Sequence, residues 1–506
     1  MLRLITLAGS IALLAGWGAG STAAAATLCV GPGAGCSLTI QAAVDAAQDG
    51  DAIEIGPGTF VGGIEILKSV QLVGTGAAAT TIRGGGPVIT IGDGTANPTV
   101  ALSRLTITGG FNDSKPESFV GPGFFAAGGG VLIPEAAGHT TGATVTISDS
   151  VISGNRVTAG TPEQVCDHAC SFASGGGIAN WGTLTVTNTR IVDNVAGSTP
   201  TSGGLATDAR GGGIWTSEVG AVTLLHSFVT GNRSAVSAPN GRFAEGGGIG
   251  DDGTLTIEDS VVGGNSADAQ TAVPSTVPFD VQQEAVGGGI RITEAPGATA
   301  TIVRTTISGN SVSSSNVGGD AQATSGGLDV DGSLLLVDSR VDQNTVRASV
   351  PPSSGNFAGA VFGGLEVSGV ATIRNSRIAD NTLTAVSEGG GANVAGAGMA
   401  NLSGRLTLER TLVTENRGSA DGITGLPIVG GGTLGGGILN IDFGGGPPQL
   451  TVTDSVVTAN ALVRSDDIVP RGGGIFSADL FSEDPVPFTL TRTVVAGNKP
   501  DQCVGC

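Results

Sequence analysis

The chain has 506 residues, 88 of them Gly, no Tyr, and a formal net charge of −20 at pH 7. So much Gly beside so many β-branched residues suits short strands and tight turns and excludes long helices. The negative charge argues against nucleic acid and anionic membrane surfaces as partners.

In chain order, residues 1–26 read as a secretory signal. Arg3 supplies the positive start, Leu4–Trp17 the apolar run, and Ser21–Ala26 a small-residue cleavage region. That run is too short to span a bilayer comfortably and no second one follows. The processed chain is therefore expected to be secreted or at the cell surface, with no transmembrane segment. In that setting cysteines favour disulfides over a redox or zinc site. The close pairs Cys29/Cys36, Cys166/Cys170 and Cys503/Cys506 are the natural bridges of an elongated molecule.

Residues 27–98 read as a cap and entry coils. Thr39–Ala47 is the one stretch with helical spacing, placing Ile40, Val44 and Ala47 on one face. Short strands follow at Ala52–Ile55, Gly63–Leu67, Val70–Val73 and Val88–Ile91. A solenoid leaves an unpaired strand edge at its end, and the helix is assigned to covering it.

Residues 99–506 repeat. The stretch Val370–Leu383 (V-A-T-I-R-N-S-R-I-A-D-N-T-L) returns ten times, its copies ending at Asn155, Asn194, Asn232, Asn265, Asn310, Asn344, Asn381, Asn416, Asn460 and Asn498. The spacing of 33 to 45 residues is that of solenoids. Three places before each Asn stands Ile or Val, five places before stands Ser or Thr, and eight places before stands an aliphatic residue. An even and an odd inward slot cannot share one straight strand, so the backbone must bend six or seven places before the Asn. From Gly128 onward, G-G-G plus an aliphatic residue precedes most copies, as at Gly175–Ile178 and Gly287–Ile290. One repeat is thus one coil, stacked in parallel on the next at about 4.8 Å, with the Asn residues forming a structural ladder and adopting a left-handed turn.

The pairing of G-G-G-I with I/V-x-x-N resembles the right-handed parallel β-helix superfamily, the pectate-lyase-like fold. More closely it is similar to the polymorphic outer-membrane-protein repeats, whose signature is G-G-A-I/V/L with F-x-x-N. The segment Thr39–Phe60 resembles the entry of many exported β-helix proteins. The resemblance implies an all-β, single-stranded right-handed parallel β-helix of about 11–12 coils behind a short N-terminal capping helix. It is specific for fold, because this scaffold hosts lyases, hydrolases, esterases and adhesins alike.

The catalytic sets of polygalacturonase-like relatives are missing. Asn188-Thr189 is followed by Arg190, no G-H-G occurs, and the only histidines are His139, His168 and His226. Of the acidic pairs, Asp251-Asp252 and Asp466-Asp467, the first reads as a turn with Gly253. One outer column, six places before the Asn, varies in chemistry and contains the run His226, Asp259, Arg304, Asp338. Like charges are never neighbours in it, which marks a charge-alternating ladder and makes these four surface candidates only. Trp181 and Trp215, in neighbouring coils, are candidates for a small stacking platform.

The expectation is a secreted or cell-surface, non-enzymatic binding or adhesion module with no catalytic, cofactor-binding or metal-ligating residues assigned. Its ligand is an unidentified polysaccharide or protein, and calcium is the one ion the acidic composition admits. A polysaccharide-active enzyme of lyase or hydrolase type is the alternative, and a passive cell-envelope spacer the second.

Overall fold

The computed structural model describes residues 25–113, 124–159, 171–198, 207–237, 243–271, 283–351, 356–387, 389–422, 433–442, 446–463, 469–479 and 484–505. Residues 1–24 of the stretch read as a secretory signal, and Cys166, Cys170 and Cys506, lie outside them.

The repeat Val370–Leu402 shows how one coil is made. The chain visits five strands: Val370–Arg374 in sheet I, Arg377–Ala379 in sheet II, Thr382–Ser387 in sheet III, Ala392–Ala395 in sheet IV and Met399–Leu402 in sheet V. Each strand pairs in parallel with its counterpart in the next coil, so the sheets contain 14, 13, 10, 9 and 13 strands respectively. This is a right-handed parallel β-helix. Two short coils, built from sheets I, II and V alone, precede nine with all five strands.

Three left-handed residues turn each of the nine full coils. The first is the outer-column residue, from Asp149 (φ 49°) through Arg304 (φ 46°) to Arg492 (φ 48°). This is the bend that the odd and even inward slots demanded. The second is the residue before the ladder Asn, as in Asp193 (φ 56°) and Asp380 (φ 56°), so the left-handed turn expected of the Asn belongs to its neighbour. The third opens the glycine triplet, with Ser325 (φ 59°) and Phe362 (φ 61°) accepting strain there without glycine's freedom.

Two cores follow from these turns. Ile, Val and Leu from sheets I, II and V fill a wide lobe that includes Ile373, Ile378 and Met399. Sheets III and IV close on each other through small residues. Ala209, Ala244, Ala285, Ala323 and Ala360 form one buried column of sheet IV. The lobes meet at a neck, and the neck explains the motif. The Asn side chains run along one side and the glycines press on them from the other. A Cβ on Gly364 would stand 2.5 Å from the Gly398 carbonyl oxygen and 2.7 Å from Asn381 Nδ2. Gly364→Ala is therefore expected to cost about 3 kcal/mol by overpacking, read from urea unfolding. Gly264→Ala, at φ 63° with nothing within 4 Å, is expected to cost only about 1 kcal/mol.

Both ends are closed by side-chain amides. Helix Ile40–Ala46 buries Ile40, Ala43 and Val44 against the first coil. Its Gln41 accepts from the Glu65 N–H (2.9 Å) and donates to the Glu65 carbonyl (3.1 Å), substituting for a strand on the edge of sheet V. At the other end Gln502 Oε1 accepts from the Asn498 N–H (3.0 Å) as a further ladder Asn would. Cys29 and Cys36 are disulfide-bonded, as expected, and Cys503 is also in a disulfide.

Candidate functional site

The outer column lies on the convex edge between sheets I and II. His226 and Arg304 are exposed there, His226 Nε2 stands 3.8 Å from Asp259, and Arg304 holds Asp259 through two contacts of 2.7 Å. The Arg304 guanidinium keeps the Asp259 carboxyl below its ordinary range. Arg492 pairs with Asp454 and Arg410 with Asn375 in the same way. These contacts compensate left-handed backbone at Arg, which lacks the short polar side chain favoured there. The structure brings His226, Asp259 and Arg304 together as a surface ladder that lines neither of the two hollows described below, with Asp338 one coil beyond.

A concave surface lies elsewhere, where sheets IV and V meet outside the neck. Two adjoining hollows of about 320 and 640 Å³ share Glu245, Arg291 and Asp331. The floor comes from the residue after each G-G-G-I, the middle of a three-residue strand whose neighbours point inward. In register these are Ala179, Trp215, Gly250, Arg291, Asp329, Glu366 and Ala400. The wall comes from the outward residues of sheet IV, including Phe172, Asp208, Phe243 and Glu284 on one column and Arg210 and Glu245 on the next. The outer column is therefore not alone in its varied chemistry; this floor column varies as much and faces a groove.

Side by side, these columns grade along the axis. At one end Trp181 and Trp215 meet edge to face, centroids 4.6 Å apart and planes at 70°, with Phe125 5.7 Å from Trp181. Edge-to-face packing means they form no flat two-ring platform. The middle is charged. Arg210 reaches Asp208 (3.3 Å) and Glu245 (3.2 Å), while Arg291 pairs with Asp329 and, at 2.6 Å, with Asp331. The far end is apolar, with Phe362, Leu434, Leu439 and Ile441 in one cluster.

Burial sets the protonation of the middle. The Glu284 and Glu366 carboxyls are pushed up to about 7 by loss of water, with the Arg291 charge opposing the shift. Glu366 accepts from Ser325 Oγ (3.1 Å) and Ser368 Oγ (3.0 Å), and Glu284 from Thr324 Oγ1 (3.4 Å). Asp252 is raised by burial and accepts from Thr293 Oγ1 at 2.9 Å. Asp251 behaves differently from the turn residue expected. It ends the strand Ile249–Asp251, points into the core with no exposure, and is raised to about 8 by burial and by the charge of Asp252. The turn begins at Asp252.

Near neutral pH the groove thus holds proton-donating carboxyls beside carboxylates fixed by a guanidinium. That combination can give a proton to one oxygen and take one from another. Among the described residues no group of three or more His, Cys, Asp or Glu is arranged to hold a metal ion, and no helix is long and apolar enough to cross a membrane.

The architecture places the chain among parallel β-helix proteins. No protein-family model and no curated protein matches the sequence. Among solved structures, the chain is similar to the crystal structure of the Agl-KA catalytic domain. Identity is 14%, the TM-score is 0.25, and the match covers 89% of this chain and 64% of that one. A likeness that distant carries no functional argument.

Proposed function

We propose that this is a carbohydrate-active β-helix that cleaves an extended glycan in the groove of sheets IV and V by general acid–base chemistry outside the cell. The observation that carries this reading is the pair of buried carboxyls Glu284 and Glu366, raised to about 7 by loss of water, beside Arg291 and its ion-pair partners in the groove. Glycosidic cleavage needs one carboxylic acid to protonate the leaving oxygen and one carboxylate to activate water or attack the sugar. Glu284 or Glu366 fits the first role. Asp331, which Arg291 holds at 2.6 Å, fits the second. The groove runs across the coils, along the helix axis, so a polymer would lie along it and be cut within its length. The Cys29–Cys36 disulfide is compatible with an extracellular location.

Reducing-sugar release from a panel of neutral and acidic polysaccharides tests the reading. Glu284→Gln and Glu366→Gln are expected to lower kcat/KM by about 10² to 10⁴ with the melting transition retained. His226→Ala and Arg304→Ala on the convex edge are expected to leave it unchanged. Turnover surviving in both Gln variants, or lost with His226, overturns it. Binding without turnover is the competing reading. It is favoured by the engagement of both groove guanidiniums with carboxylates, and it predicts saturable ligand and no product.

A further inference from the structure

The aromatic end of the groove is built for something other than acid–base work. We infer that it is a subsite for uncharged sugar rings and that the groove accepts a neutral glycan rather than a polyuronate. This deepens the glycan reading above and rests on it.

Three observations converge. Trp181 and Trp215 line the larger hollow and pack edge to face, so each fixes the other's orientation, with Trp215 buried and the half-buried Trp181 the more open to a ligand. Second, two polar atoms in the same hollow are buried and lack a partner: Trp215 Nε1, on a residue 7% exposed, and Ser217 Oγ, on a residue 5% exposed. Buried donors are ordinarily satisfied, and an orphan costs about 1–3 kcal/mol. A sugar hydroxyl or ring oxygen that reached either atom would supply the partner it lacks. The third observation is electrostatic. Along the groove the carboxylates named above outnumber the guanidiniums, and Arg210 and Arg291 are each already engaged by two of them. A uronate chain would bring its charges to a surface of the same sign, where little water screens the repulsion. A neutral ring meets an aromatic face and unsatisfied donors at no such cost.

The chain itself supplies the probe. It has three tryptophans and no tyrosine, and the remaining one is Trp17. Trp17 falls in the stretch read as a cleaved signal, so ultraviolet emission of the processed chain, or of the full chain carrying Trp17→Phe, reports Trp181 and Trp215 alone. Neutral gluco- and xylo-oligosaccharides are expected to shift that emission saturably, and galacturonate oligomers to leave it unmoved. Trp215→Phe, which keeps a ring but loses Nε1, and Ser217→Ala are each expected to weaken binding about 10-fold. The melting temperature of Ser217→Ala should be no lower than the parent's, since the change removes a buried hydroxyl without a partner, and in Trp215→Phe the residual Trp181 emission gives the readout. The shift should persist in Glu284→Gln. Tighter binding of uronates, no binding of any sugar, or unchanged affinity in both variants overturns the inference. Neutral sugars bound here but never cleaved leave it standing and remove the cleavage reading. Uronates cleaved in a Glu284-dependent way do the reverse.

Discussion

Asn381→Ala is expected to destabilise the protein by about 4 kcal/mol, more than an ordinary surface change by an order of magnitude. The Asn381 side chain is buried at the neck and makes four hydrogen bonds. It accepts from the Asn344 N–H (3.0 Å) and Asn344 Nδ2 (3.0 Å), and donates to the Val341 carbonyl (3.1 Å) and Asn416 Oδ1 (2.9 Å). Alanine leaves two N–H groups of Asn344 without an acceptor where no water reaches. Each such orphan costs about 1–3 kcal/mol, and the lost volume adds to it. Urea unfolding of the full chain measures the loss. A change below about 1 kcal/mol would mean that the ladder is decorative and that the lobes hold together by apolar packing alone.

Asp251→Asn is expected to act in the opposite direction, stabilising the fold by about 4 kcal/mol at pH 7. The Asp251 slot recurs in sheet V as Asn180, Asn401 and Asn440. Asn180 Oδ1 accepts from Gly182 N–H (3.0 Å) and its Nδ2 donates to the Ala221 carbonyl (3.1 Å), a strand-start carbonyl of the next coil. Neither carboxyl oxygen of Asp251 finds a partner of ordinary hydrogen-bond geometry, and burial pushes its carboxyl up to about 8. A carboxyl raised on folding binds its proton longer in the folded state than in the unfolded chain. Stability contributed this way is complete at acid pH and falls as pH rises from about 4 to about 8. The difference between the Asp251→Asn variant and the parent should therefore be small at about pH 4 and widen up to about pH 8. Melting curves across that range check it, and a pH-independent difference would refute the assignment.

Such an asymmetry is what a site in use looks like. Asp251 adjoins Asp252, which lines the groove with Arg291 and Thr293. A repeat that places Asn in this slot three times and an ionisable group once has given up stability at the coil nearest the acidic centre.

The inward columns were legible in the sequence because stacking imposes the same demand on every coil. Ile378, Ser376 and Asn381 each stand for ten copies, and ten copies leave little freedom of interpretation. The Ser/Thr column even bonds as its position implied. Ser376 Oγ donates to the Arg374 carbonyl (2.7 Å) and accepts from the Ser339 N–H (3.2 Å). The groove was harder to read, since its parts come from different strands of a coil and meet only after the chain has turned. Glu284 and Arg291 are seven residues apart across the glycine triplet, on different sheets. The signal was nonetheless present. Charges in otherwise apolar strands flank the glycines in consecutive coils, at Arg210, Glu245, Glu284, Arg291, Asp329 and Glu366. The convex column stands out first in the sequence because its charges fall beside the repeat's strongest motif. Its exposed ion pairs satisfy a strained corner and contribute little stability.

The two terminal glutamines have a meaning beyond capping. A parallel stack presents at each end the same row of unpaired groups that recruits its own next coil, so nothing in the repeat itself tells the assembly to stop. Gln41 occupies that row at Glu65 and Gln502 at Asn498 with amides borne on a helix and on a tail. Neither can pass the pairing pattern onward. At these two points the edge is closed by a side chain where the repeat would place another strand or ladder Asn.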